Sequence, residues 1–174
     1  MTSFLQNPIL NTPYSEPTQH WVLDSKGQPT GQVREGRRNP GYVVPVAAPR
    51  RSGRQTELDL GADQIATQNT LVKLVRPEVD KWRALPPSQW NVTPETERLL
   101  RWWRDITVRE FPFFFCQLEA VETIIWLTEV APKSYRDELI AANDTANPGL
   151  FRIAAKMATG SGKTEVVPVS ETGA

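Results

Sequence analysis

Met157-Ala158-Thr159-Gly160-Ser161-Gly162-Lys163-Thr164 is the stretch on which the fold reading turns. Its last five residues are the core of a phosphate-binding loop. Glycines let the backbone wrap closely around a polyphosphate, and successive backbone N–H groups then point inward at the oxygens. In such a loop Lys163 reaches the outer phosphates and the Thr164 hydroxyl ligates magnesium. The first position of the pattern, usually glycine, holds Met157. The loop chemistry calls for a strand before it and a helix N-terminus after it, where the helix dipole also favours an anion.

Working outward, Phe151, Ile153, Ala154, Ala155 and Met157 form a short, mostly apolar run bounded by Asn147-Pro148-Gly149, a turn signal. The run predicts one buried strand of a parallel sheet leading into the loop. Only ten residues follow Thr164, and Pro168 stands among them. ATP hydrolysis needs a carboxylate to hold magnesium and groups to orient water and stabilise charge. A further strand-bearing unit takes roughly thirty residues. The expectation is therefore an incomplete site with no catalytic residue of its own, whether from an early stop, a frameshift or a deliberate fragment.

Lys+Arg and Asp+Glu are 20 each, so overall charge argues neither for nor against nucleic acid. A single cysteine, Cys116, rules out an internal disulfide and fits a reducing compartment. Cys116 reads as a small buried hydrophobe, and with His20 as the only histidine a zinc site has no ligand set. There is no signal-peptide pattern and no apolar run long enough to span a bilayer. The expected setting is cytoplasmic, without a membrane partner.

Three segments are expected. Residues 1–60 are Pro- and Arg-rich and irregular; 61–110 are helical; 111–174 begin an ATPase lobe. In the first, His20–Leu23 and Gly31–Arg34 flank Asp24–Thr30, a Gly/Pro turn, which predicts a hairpin. Tyr42–Val46 predicts an edge strand, because Pro45 cannot donate to a central ladder. Arg34, Arg37, Arg38, Arg50, Arg51 and Arg54 read equally as a phosphate-facing surface or as a solvated loop. From about Leu60 to Trp82 the spacing of Ile65, Leu71, Val72, Val75, Val79 and Trp82 predicts helix, kinked or broken at Pro77. Thr93-Pro94-Glu95 starts another helix, running to about Arg104, with Leu99, Trp102 and Trp103 facing inward. An amphipathic helix after the Phe111–Phe115 cluster buries Leu118, Val121, Ile124, Ile125 and Leu127, and Pro132 stops it. One more helix covers Tyr135 to Asn143.

Gln117 lies at the start of the helix that precedes the loop. Its amide can donate to one edge of adenine and accept from the other. Phe115-Cys116-Gln117-Leu118-Glu119-Ala120-Val121-Glu122-Thr123, followed by Lys156-Met157-Ala158-Thr159-Gly160-Ser161-Gly162-Lys163-Thr164, resembles the start of the helicase domain in type III restriction endonuclease large subunits, within the DEAD/DEAH-box-like superfamily. The stretches Asn7–Tyr14, Glu16-Pro17, His20-Trp21 and Trp82–Trp90 resemble the opening of bacterial proteins of this kind. The Met-Ala-Thr form of the loop is typical of that group, which accounts for Met157.

The resemblance implies an α/β parent with RecA-like lobes, a DNA-dependent ATPase that moves on duplex DNA, a nuclease domain further on and a methyltransferase partner. It implies Gln117 on the base, Gly160, Ser161, Gly162 and Lys163 around the phosphates of ATP, and Thr164 on Mg2+. The present chain is expected to be mainly helical, with an irregular N-terminal hairpin region and one strand before the loop. The family's acidic motif, second lobe and nuclease carboxylates are missing. The competing reading is a non-enzymatic module that binds DNA or a partner subunit and carries a vestigial loop.

Overall fold

The computed structural model describes residues 4–24, 27–45, 64–68, 70–146, 148–149, 152–155, 157–158 and 160–162. The chain divides into two units, one of Met1–Thr12 with Pro17–Leu74 and the other of Pro13–Glu16 with Val75–Ala174.

The first unit carries two antiparallel strand pairs. β1 (Gln19–Leu23) pairs with β2 (Pro29–Glu35), Trp21 opposite Val33, and the register slips between Trp21 and Leu23. The turn forms where the sequence demands it. Asp24 accepts the Gln28 backbone N–H on Oδ1 at 2.8 Å, and Gly27 takes a φ of 78° that a side chain would resist. Trp21 is the buried anchor of this pair. Its ring meets Phe4 edge-on at 5.5 Å, and its indole N–H donates to the Pro8 carbonyl at 3.3 Å. Asn11 ties the preceding segment down by donating to the Gln19 carbonyl at 2.9 Å and accepting from Thr18 N–H at 3.0 Å.

β3 (Gly41–Pro45) pairs with β4 (Gln64–Gln68), Val43 opposite Ala66. A two-stranded ribbon consists only of edges, so Pro45 is tolerated. β4 corrects the helical reading of Ile65. Gln64–Gln68 is extended, and the helix begins only at Thr70. Arg50, Arg51 and Arg54 lie outside the described residues.

α1 (Thr70–Arg83) starts at the end of the first unit and continues into the second as one helix, with Pro77 inside it. Of the kink or break expected at Pro77, the break does not occur; packing of Val75, Val79 and Trp82, each at most 3% exposed, offsets the missing N–H. A 3-10 turn at Pro87–Gln89 leads to α2 (Pro94–Arg104). Thr93 caps α2 as expected, accepting the Thr96 N–H at 3.3 Å. α2 buries Leu100 and Trp103, whereas Leu99 is half-buried and Trp102 is 48% exposed, which corrects the inward assignment of those two.

α3 (Phe115–Ile125) passes directly into a π-helical turn, Trp126–Val130, before α4 (Lys133–Ala146). Its core face is Gln117, Val121 and Glu122, followed by Trp126 and Leu127; Leu118, Ile124 and Ile125 are only half-buried. From the π turn, Glu129 reaches back to α2, accepting the Thr93 N–H at 2.8 Å and the Thr96 hydroxyl at 2.7 Å. One helix thus supplies a second cap to another.

Among the described residues, the strand expected before the loop is not formed. Arg152–Ala155 have no regular secondary structure, and Arg152, Ala154 and Ala155 are exposed. A parallel strand needs a neighbour to complete its hydrogen bonds. The described strands form only two antiparallel pairs, and neither pairs with this segment. The described chain is a small, mixed, mainly helical protein.

Candidate functional site

Phe114 is the N-cap of α3, and Gln117 is its third residue. The first N–H groups of a helix have no partner within it. Gln117 Oε1 accepts the Phe114 N–H at 2.7 Å, the glutamine half of a capping box. The Phe115 N–H is taken by the Pro13 carbonyl at 2.8 Å, and the Tyr14 ring meets Phe114 edge-on at 5.5 Å. The start of α3 is therefore held by its own glutamine and by a distant N-terminal segment.

The other end of the Gln117 amide reaches the loop. Nε2 donates to the Gly162 carbonyl at 3.0 Å, across 45 residues of sequence. Gln117 is 6% exposed. Among the described residues each end of the amide has one hydrogen bond, so one donor hydrogen and one acceptor site have no partner there. This is the mixed pair that an adenine edge requires.

Within the loop, Ser161 turns back on Ala158, its hydroxyl donating to that carbonyl at 2.6 Å and its N–H at 3.4 Å. Gly160 and Gly162 take φ values of 78° and 68°, the left-handed region. Around Gly160 a Cβ would meet open space; at Gly162 it would run into Gln117 Nε2. Gly162 is thus required both by its backbone and by the approach of the glutamine. Upstream, the buried Asn143 of α4 accepts the Arg152 N–H at 2.8 Å and anchors the connecting segment.

A pocket of about 470 Å3 opens beside this junction, within the usual range for small-molecule sites. Gln117 and Gly162 line it together with Tyr14, Arg109 and the turn Phe111–Phe114. Phe111 is 75% exposed and Tyr14 is 50% exposed. The Arg109 guanidinium carbon lies 3.9 Å from the Trp102 ring centre and 4.0 Å from that of Phe113. Its Nε is buried without a hydrogen-bond partner.

Of the six expected nucleotide-binding residues, Gln117 and Gly162 are in direct contact, and Gly160 and Ser161 shape the turn beside them. Lys163 and Thr164 lie outside the described residues, as does the segment expected to form the helix after the loop. Sequence reasoning missed Arg109 and the pocket role of Tyr14. Nothing local marks either one: Arg109 follows a helix, and Tyr14 arrives from about a hundred residues away. Cys116 is only half-buried, which corrects its reading as a fully buried hydrophobe. Burial, above all, pushes its pKa above the usual cysteine value.

Elsewhere on α3, Glu122 is 2% exposed and accepts from Arg83 Nε at 2.5 Å and from Arg104 Nε at 2.8 Å. Arg104 lies over Trp90 at 4.5 Å and Arg83 over Phe115 at 5.3 Å. Burial acts to lower the Arg83 pKa, but Glu122 and Asp80 outweigh it and raise it above the usual arginine value. The group stays charged at every ordinary pH.

No helix among the described residues is long and apolar enough to cross a membrane. In comparison with known proteins, no family model, no curated protein and no solved structure matches the chain.

Proposed function

We propose that this chain binds ATP, with Gln117 reading the base and Gly160–Thr164 holding the phosphates, as in the helicase-like ATPases of type III restriction enzymes. The observation that carries the reading is the hydrogen bond from Gln117 Nε2 to the Gly162 carbonyl. A base-reading glutamine and a phosphate-binding glycine were inferred from two separate stretches of sequence. Their direct contact at the edge of one pocket supports a single ligand reached by both.

The chemistry assigned to each residue is limited. Gln117 orients the base through its unused donor and acceptor. The two left-handed glycines let backbone N–H groups approach the phosphates without a side chain in the way. Lys163 would meet the outer phosphates, and the Thr164 hydroxyl would hold Mg2+. Bound Mg2+ supplies charge neutralisation at the phosphates. DNA and a methyltransferase subunit belong to the same proposal as partners and rest on the sequence resemblance alone.

The test is calorimetric titration of the chain with Mg-ATP. Lys163→Ala is expected to weaken binding at least tenfold, about 1.4 kcal/mol. Saturable binding left unchanged by this substitution would overturn the assignment of the loop, and an absence of binding at millimolar ATP would overturn the reading altogether.

A further inference from the structure

Arg109 has no place in the sequence reading, yet it is the cation of the pocket. Its guanidinium is held between Trp102 and Phe113 at 3.9 and 4.0 Å. Such contacts hold an arginine by the face of its charge and leave its in-plane N–H groups to find other partners. Among the described residues no carboxylate forms an ion pair with it. Arg83 and Arg104 share the buried carboxylate of Glu122; Arg109 shares none. A fixed positive charge lining a partly apolar pocket, with no carboxylate partner among the described residues, favours an anion.

The donor inventory narrows the choice of anion atom. A guanidinium has five N–H donors and no acceptor. The exocyclic amine of adenine is itself a donor, so Arg109 cannot pair there. Gln117 already supplies the mixed donor and acceptor that the base edge needs. With two rings against it, Arg109 offers little surface on which a base could stack. Its in-plane N–H groups match the oxygens of a phosphate, the one strongly anionic part of a nucleotide. Gly162 of the phosphate loop lines the same pocket.

We propose that Arg109 is a nucleotide-binding residue, its aromatic-clamped guanidinium donating to a phosphate oxygen of the bound nucleotide. This rests on the ATP-binding reading above and adds to it a second cation, from the turn before α3 rather than from the loop.

The experiment is titration of the 174-residue chain with ADP and, as the arm without phosphate, with adenosine. Arg109→Gln is expected to weaken ADP binding at least tenfold and adenosine binding less than twofold. Arg109→Lys, which keeps the charge but loses the fork, should fall between wild type and Arg109→Gln for ADP. Equal losses for ADP and adenosine would overturn the phosphate contact, as would unchanged ADP binding in Arg109→Gln. The underlying reading is separable: if wild type binds ADP and Lys163→Ala weakens it while Arg109→Gln does not, only the role of Arg109 fails. If wild type binds no ADP, both fall. Should Arg109→Gln not fold, judged by circular dichroism, the wild-type Arg109 side-chain N–H resonance decides. It should shift on addition of ADP but not of adenosine; no shift with ADP, or an equal shift with both, overturns the proposal.

Discussion

Arg104 and Arg109 stand five residues apart, both lie against tryptophan, and they are used in opposite ways. Arg104, over Trp90, donates to the buried carboxylate of Glu122, which Arg83 also satisfies. Arg109, between Trp102 and Phe113, donates to no carboxylate among the described residues and lines the pocket. The difference teaches how to tell a cation committed to the fold from one left available to a ligand. Aromatic contact holds the side chain in both cases; the presence of an acid decides whether its charge is spent inside the fold or left for a ligand.

The comparison breaks most visibly at Glu122. Glu122→Gln leaves two arginines facing a neutral amide. Loss of one partner of a buried pair costs about 3–5 kcal/mol; since Arg83 and Arg104 are 22% and 21% exposed, about 2–4 kcal/mol is expected. Urea denaturation measures it. Arg109→Gln in the same assay should lose only the ring contacts, roughly 1 kcal/mol. Comparable losses from the two substitutions would erase the distinction.

At the pocket, Gly162→Ala drives a methyl group toward Gln117 Nε2 from a backbone already at positive φ. Nucleotide affinity should fall at least tenfold, about 1.4 kcal/mol. Gly160→Ala has a similar φ but open space around it, so strain of about 1 kcal/mol is its main expected cost. Equal affinities for the two variants would show that the Gln117 contact has no bearing on binding. The smallest effect concerns the scaffold away from both arginines. Glu129→Ala frees the Thr93 N–H and the Thr96 hydroxyl and should cost about 1 kcal/mol of stability with nucleotide affinity intact. A change in affinity there would mean that the capping of α2 is coupled to the pocket.

Elements with a local cause were legible in advance. The β1–β2 hairpin follows from a Gly/Pro turn between two short runs, and α2 starts at Thr93-Pro94 because that hydroxyl and that ring suit a helix N-terminus. The α1 boundary was not legible. Ile65 has the right spacing for the helical stripe, but Gln64–Gln68 pairs with Gly41–Pro45, a partner about twenty residues upstream. The strand assigned to the run before the loop is absent from its described residues, Arg152–Ala155, for the same kind of reason. Apolar composition permits a buried strand, but only a neighbouring strand makes one, and none pairs with Arg152–Ala155. Trp102 shows the limit on helix faces: its spacing suited burial, and Leu100 and Trp103 took the inner positions instead.

The sequence by itself determined the chemical types: glycines that permit a left-handed turn, a lysine and a threonine after them, a glutamine at a helix start. Those follow from what each residue can adopt or donate wherever it sits. Only the tertiary structure decided which of them meet. It set Gln117 against Gly162, placed Tyr14 beside Phe114, and gave Glu122 to Arg83 and Arg104 while leaving Arg109 without an acid among the described residues. The physical reason is that hydrogen bonds and ion pairs act over a few ångströms. Partners distant along the chain are therefore chosen by how the helices pack, which no local pattern records.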